Sequence, residues 1–283
     1  MNSNNGKKTR PSSSAEFRQT EDGTLRLDLR VPDSWQALDA SALAVVLHCL
    51  AEFPPQEAAL RALMYFAGLT VLRHATMRDG TTRWLVSSKD GHGWVSTAAL
   101  TSATAALSWM LEPADPPVRP EYLAGDKIRA VDSQLHGVPF GHYLQLEALF
   151  QGHLARMSMD AETFPTAPLR AMAPLLYPGS TADQPTKAEC LGVFLWYASV
   201  KKMFSNMFPH LFRPPSGSDT VHTATPESLR RQTDLQIRAL TDGDITREPA
   251  ILAADTWRAL TELDAKARES EDLRRHLQQQ SRK

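Results

Sequence analysis

Apolar side chains recur at helical spacing along most of this chain and at strand spacing in only two places. Over residues 24–31 the alternation is strict. Leu25, Leu27, Leu29 and Val31 share one face while Arg26, Asp28 and Arg30 share the other, which predicts a half-buried strand. Pro32-Asp33-Ser34 breaks it. Behind Asp39, a residue type suited to capping, Leu43, Val46, Leu47 and Leu50 fall at i, i+3, i+4, i+7 and predict a helix. Pro54-Pro55 closes that helix and opens a second, because proline's missing N–H breaks no helical bond in a first turn. Leu60, Leu63, Met64, Ala67 and Val71 are assigned to one stripe of the second helix. The short connection predicts an antiparallel helical hairpin.

Further along, 83–87 and 94–96 flank the turn-rich segment 89–93 and predict a small β-hairpin. Thr97 is expected to cap a helix carrying Leu100, Thr104, Leu107 and Leu111. A proline-rich connection follows over 113–120. Helical spacing resumes near Pro139 with Tyr143, Leu146, Phe150 and Leu154, continues in a short helix over 167–177, and culminates in a long aromatic helix over 186–206 that Pro209 ends or kinks. Residues 213–227 read as a linker. Two polar helical segments come after it, about 226–241 and 246–280. In the second, Trp257, Leu260, Leu263 and Ala267 form a stripe too narrow for an independent core, so it must dock on the main domain, self-associate or meet a partner.

The expected fold is therefore mainly α: a multi-helix domain with a short N-terminal strand and a small β-hairpin, then a linker and a helical tail. The boundaries are a disordered stretch at 1–22, a globular domain at 23–212, the linker at 213–227 and the tail at 228–283. A chain cut near Arg213 is expected to stay folded.

Composition narrows the function. Of 283 residues, 42% are hydrophobic and 22% charged, within the globular range. A net charge of −1 argues against electrostatically driven nucleic-acid binding. Cys49 and Cys190 rule out a disulfide framework and suit buried thiols in a reducing compartment. No apolar segment suggests a secretory signal or reaches the roughly 18 residues of a membrane span, so a soluble cytoplasmic chain with no membrane partner is expected.

Candidate chemistry is sparse. The histidines show no H-x-x-x-H spacing, and the cysteines no C-x-x-C. His136 and His142 flank Gly137-Val138-Pro139-Phe140-Gly141 and read as polar residues at a helix entry. There is no G-x-S-x-G elbow, no Walker sequence and no complete dinucleotide fingerprint. Asp242-Gly243-Asp244 reads as a turn in which Asp244 or Thr246 caps the next helix. No catalytic, cofactor-binding or metal-ligating residue is assigned.

The aromatic segment 193–212 holds four of the ten Phe together with Trp196 and Tyr197. It suits either a core or a partner-gripping surface. Phe204, Phe208, Phe212, Trp257, Leu260 and Leu263 are accordingly the candidate partner-binding residues. An alternative is a small-molecule site or enzyme built from Tyr143, His142, His136 and Trp109 around the 113–143 region. A deep apolar pocket with converging polar groups would mark that alternative, and a shallow apolar surface would mark the partner site.

Several blocks resemble a family of uncharacterised proteins encoded in bacterial genomes and in tailed-phage or prophage tail regions. They are Val31-Pro32-Asp33-Ser34-Trp35 with Leu38, Gly137-Val138-Pro139-Phe140 with Tyr143, Phe150-Gln151-Gly152, Phe194-Leu195-Trp196-Tyr197, Phe208-Pro209 and Phe212-Arg213-Pro214. The order of strand, Pro-Asp-Ser-Trp turn and helix is also similar to that of tail assembly chaperones. The segment 255–260 resembles helical segments in similar uncharacterised proteins. The resemblance implies a non-enzymatic assembly or adaptor protein whose partner is a protein, such as a tail structural or tape-measure protein. It carries over no catalytic residue and no cofactor.

Overall fold

These periodicities become a mainly α protein in a computed structural model that describes residues 14–19, 25–78, 80–89, 91–123, 126–159, 164–180, 184–212 and 225–280. The chain divides at Ala114 and Asp115 into two units, each with its own core. That boundary differs from the expected one, which set a tail apart after residue 212.

In the first unit, strand β1 (Ser14–Gln19) pairs antiparallel with β2 (Leu25–Arg30). Strand β1 falls in the stretch assigned to a disordered leader, and this corrects that assignment for 14–19; residues 1–13 and 20–22 lie outside the described residues. Its polar composition concealed a strand whose backbone groups are satisfied by β2 rather than by its own neighbours. Helix α1 (Ala40–Glu52) is capped by Asp39, whose carboxylate accepts the Ala42 N–H at 2.8 Å. Helix α2 (Pro55–Ala67) follows and packs on α1.

Gly68 ends α2 in left-handed backbone (φ 59°), a conformation glycine adopts without penalty, and the Leu69 N–H returns to the Met64 carbonyl at 2.9 Å. Val71 therefore leaves the helical stripe to which its spacing assigned it and enters strand β3 (Thr70–Thr76). This strand lies at one edge of a sheet ordered β3-β4-β5, whose β4 (Thr82–Ser88) and β5 (Gly91–Ser96) form the expected hairpin. Val86 and Val95 bury the inner face of that sheet against Ala67, Leu69 and Leu100.

Ser96, one residue before the expected Thr97, caps helix α3 (Thr97–Ala103) by accepting the Ala99 N–H. The chain then tightens to 3-10 geometry over Thr104–Leu111, which leaves Leu111 exposed where helical spacing would bury it. Trp35 and Trp109 meet edge to face at 5.2 Å. Each indole donates to a carbonyl beside the other: Trp35 to Glu112 at 2.9 Å, Trp109 to Pro32 at 3.0 Å.

The second unit is built from α4 (Phe140–Met159), α5 (Thr166–Leu176), α6 (Lys187–Met207), α7 (Pro226–Thr241), α8 (Glu248–Ala253) and α9 (Thr256–Gln280). Helix α6 opens with a reciprocal cap: Thr186 Oγ1 accepts the Glu189 N–H, and the Glu189 carboxylate accepts the Thr186 N–H. It ends at Phe208, before Pro209, as the proline requires. Phe140, Leu146, Trp196, Val200, Phe204 and Leu260 lie in one continuous core.

Helix α9 is thus part of the body and not an appended tail, which corrects the boundary expected at 228–283. Of the expected linker, 213–224 lie outside the described residues, and Thr225 caps α7. A narrow stripe suffices on α9 because the groove it fills is walled by helices the sequence pattern does not place beside it.

The entries of α4 and α9 are clasped together. The Thr256 N–H and hydroxyl both donate to the Val138 carbonyl, at 2.9 and 2.6 Å. The Phe140 N–H reaches the Ala254 carbonyl at 2.8 Å. Asp255 accepts the Gly137 N–H at 2.7 Å with one oxygen and the Trp257 N–H at 3.0 Å with the other. The Trp257 indole donates to the Gln134 carbonyl at 2.7 Å, and His136 stacks on its ring at 4.5 Å. Gly141 lets α8 approach, since a Cβ there would stand 3.3 Å from the Leu252 carbonyl oxygen.

Leu260→Ala is expected to destabilise the second unit by about 3 kcal/mol, the usual loss for a leucine emptied from a packed core. A chain ending at Phe212 is expected to lose that unit's cooperative transition. Urea unfolding followed by tryptophan fluorescence measures both, and a Leu260→Ala change below about 0.5 kcal/mol would remove α9 from the core.

Candidate partner-binding site

The candidate partner-binding side chains are mostly spent inside the molecule. Phe204 and Leu260 are fully buried, and Phe208 and Leu263 nearly so. Trp257 is half-buried, with Phe204 at 5.4 Å and Phe208 at 5.8 Å around it. Phe212 is also half-buried, and the turn before it is pinned by Asp264 of α9, which accepts the N–H groups of His210 and Leu211 at 2.8 and 2.9 Å. Phe204, Phe208, Trp257, Leu260 and Leu263 meet in one core between α6 and α9, while Phe212 lies against Lys201 of α6. Phe204, Phe208, Leu260 and Leu263 are thus covered by the chain itself, and this corrects their assignment as partner-binding residues. Burial against a partner and burial against a distant helix of the same chain demand the same residue types.

Three residues of the alternative site have structural roles. Tyr143 is buried, His136 serves the Trp257 stack, and Trp109 lies in the first unit with its indole bonded to Pro32. Around Tyr143 runs a tight polar seam. Glu147 of α4 pairs with Lys201 of α6 at 2.9 Å and accepts the Tyr197 hydroxyl at 3.2 Å, while the Lys201 ammonium stands 4.6 Å from the Phe212 ring centre. Burial, then the Glu147 charge, pushes the Tyr143 and Tyr197 phenols upward, so both stay neutral. The seam encloses a cavity of about 20 Å³, room for about one water, bordered by Gln232, Thr233 and Gln236 of α7. Its chemistry is that of a lock between three helices.

Open space lies elsewhere, in the crook between α7 and α8. A groove of about 350 Å³ is lined by Asp234, Ile237, Arg238, Thr241, Ile245 and Glu248. The turn that shapes it is held at each end. Asp242 takes left-handed backbone (φ 55°) and binds the Lys266 ammonium of α9 at 2.6 Å, and the same ammonium donates to the Ala239 carbonyl at the end of α7. The Lys266 hydrogen bond and charge hold the Asp242 carboxyl below the usual carboxylate range. Asp244 accepts both the Thr246 N–H and hydroxyl, as the Asp-Gly-Asp reading expects, and those bonds lower its pKa as well.

This scaffold presents Ile245 at 77% exposure, with Leu235 of α7 also exposed and Ile237 half-buried in the groove. Sequence reasoning missed these residues. The available signal was an isoleucine immediately after an Asp-Gly-Asp turn, where nothing in the turn geometry calls for an apolar side chain.

Among the described residues, no group of three or more His, Cys, Asp or Glu is placed to hold a metal ion, and no helix is long and apolar enough to cross a membrane. No family model, no curated protein and no solved structure matches the chain.

A histidine is also buried away from the groove. His153 of α4 donates from Nδ1 to the Pro165 carbonyl at 3.0 Å, which leaves Nε2 as a buried acceptor with no partner between Phe164 and Phe194. Burial lowers its pKa from 6.5. The unfolded chain therefore takes up this proton first as pH falls through 6.5, and folded stability declines from there until the lowered folded value is passed. His153→Phe should flatten that acid limb in urea titrations across this window, and an unchanged limb would show that the group does not titrate as its burial dictates.

The seam gives a second expectation. Lys201→Ala leaves Glu147 half-paired in a largely enclosed site and should destabilise the second unit by about 2–4 kcal/mol. A thermal denaturation midpoint equal to wild type would contradict the lock.

Proposed function

We propose that the protein is a non-enzymatic assembly or adaptor protein that works in the cytoplasm by binding a protein partner. The observation that carries this reading is the α7–α8 groove, a shallow concavity with exposed Ile245 at its lip, Ile237 and Thr241 in its wall and charged Asp234, Arg238 and Glu248 around them. A rigid, capped turn that exposes an isoleucine suits an anchor for an apolar side chain of a partner, with the surrounding charges fixing its orientation. The resemblance to proteins of phage and prophage tail regions supports a more specific reading. In it the partner is a tail structural or tape-measure protein, and the chain acts as a tail assembly chaperone or a tail-associated protein.

The test is co-expression of the full chain with the products of the genes flanking its own, followed by affinity isolation. A flanking-gene product should co-purify with wild type and fall at least about ten-fold with Ile245→Asp, the loss expected from removing a central apolar anchor. Circular dichroism should be unchanged, because Ile245 is exposed. Recovery of no flanking product, or equal recovery with the variant, would defeat the reading.

A further inference from the structure

The first unit has an open strand edge at β3. It is an edge strand: β4 pairs with one side of it, and among the described residues no strand pairs with the other. Its side chains are exposed along almost the whole length, with only Ala75 half-buried. Val71 is 44% and Leu72 56% exposed. Edge strands are ordinarily blunted by proline, lysine, bulges or a covering element, since unpaired N–H and C=O groups template further pairing. Here the sequence TVLRHAT offers no proline and no lysine, and among the described residues the protection amounts to Arg73 and a register shift between Val71 and Arg73.

The charge on this strand selects its occupant. Arg73 forms no ion pair among the described residues, and its guanidinium rests 5.2 Å from the Trp94 ring centre. His74 lies against Trp84 at 5.1 Å. Arg78, Arg83 and Lys89 are nearby in sequence, and the described part of 70–96 contains no carboxylate, Asp79 and Asp90 lying outside it. Arg73 is the central residue of β3. A second copy added antiparallel about the strand centre would set Arg73 against Arg73, and like charges directly opposite are destabilising. An incoming strand with a carboxylate at that position meets no such penalty.

We propose that β3 is a strand-addition site for an extended segment of a partner protein carrying an Asp or Glu opposite Arg73. Main-chain hydrogen bonds supply the pairing, Val71 and Leu72 supply apolar contact, and Arg73 sets register and sign. This surface is separate from the α7–α8 groove, and the proposal stands or falls independently of it.

The probe is an acetylated, amidated nonapeptide alternating Thr and Val with Glu at its centre, compared with a twin bearing Lys there. With the full chain, the Glu peptide should slow hydrogen exchange of the β3 amides and bind about five-fold tighter than the Lys peptide. With Arg73→Glu that preference should reverse. A Glu peptide N-methylated on its pairing edge should lose binding. If Arg73→Glu proves unfolded by circular dichroism, Arg73→Gln should abolish the preference instead. The proposal is overturned by any of several results. These are no β3 protection with either peptide, a preference indifferent to Arg73, or β3 protection that grows with protein concentration alone, which would make a second copy the occupant. Arg73-dependent binding of oligothymidylate without β3 protection would likewise overturn it, marking a polyanion surface.

Discussion

The entries of α4 and α9 are joined through a single peptide carbonyl, that of Val138, to which the Thr256 side chain and backbone both donate. Buried main-chain groups must be paired, and the first turn of any helix leaves donors over. At the entries of α4 and α9 each chain segment supplies what the other lacks. Asp255 spans both, capping its own helix while accepting the Gly137 N–H. With these entries fixed, Trp257 is delivered beside Phe204 and Phe208, and Leu260 and Leu263 follow into the core one turn at a time.

The same arrangement explains why the aromatic wealth of the chain is not at its surface. The ring contacts from Tyr143 through Phe204 to Trp257 and Phe208 connect α4, α6 and α9. Polar groups that might suggest chemistry are used to close the assembly. Glu147 holds Lys201 and Tyr197, Asp264 holds the turn after α6, and Lys266 holds the end of α7. Among the described residues, the open features include a shallow groove at one crook of the second unit and a bare strand edge in the first.

Much of the local structure was legible because its causes are local. Asp39, Pro54-Pro55, Thr186 and Pro209 act within one turn of themselves, and the helices they bound appear where spacing places them. The hairpin of β4 and β5 was legible for the same reason. The errors arise where a distant partner decides. Val71 continues a helical stripe on paper, but Gly68 turns the chain and β4 supplies a ladder. Residues 14–19 are polar enough to resemble a leader until β2 pairs with them. At the candidate site, the composition of Phe204, Phe208, Leu260 and Leu263 points to residues that need cover and assigns that cover to a partner. That the cover is the chain itself rests on contacts across more than fifty residues, which no periodicity records. Ile245 went unnoticed for the opposite reason, as a single apolar side chain in a polar turn forms no pattern.

The clasp between Val138 and Thr256 joins positions 118 residues apart, and this bears on how the molecule is made. The pairings of the first unit lie within its first 114 residues, so that unit has all its parts early in synthesis. The second unit does not. On a ribosome, α4 and α6 emerge with the groove for α9 still empty and a row of large aromatic side chains facing it. They remain so until residues 255–263 are added. Nascent chains in such an interval expose apolar surface that chaperones recognise and that neighbouring chains can trap. For this protein the vulnerable period is set by the stretch of chain between α6 and α9, and its length is a property of the gene as much as of the fold.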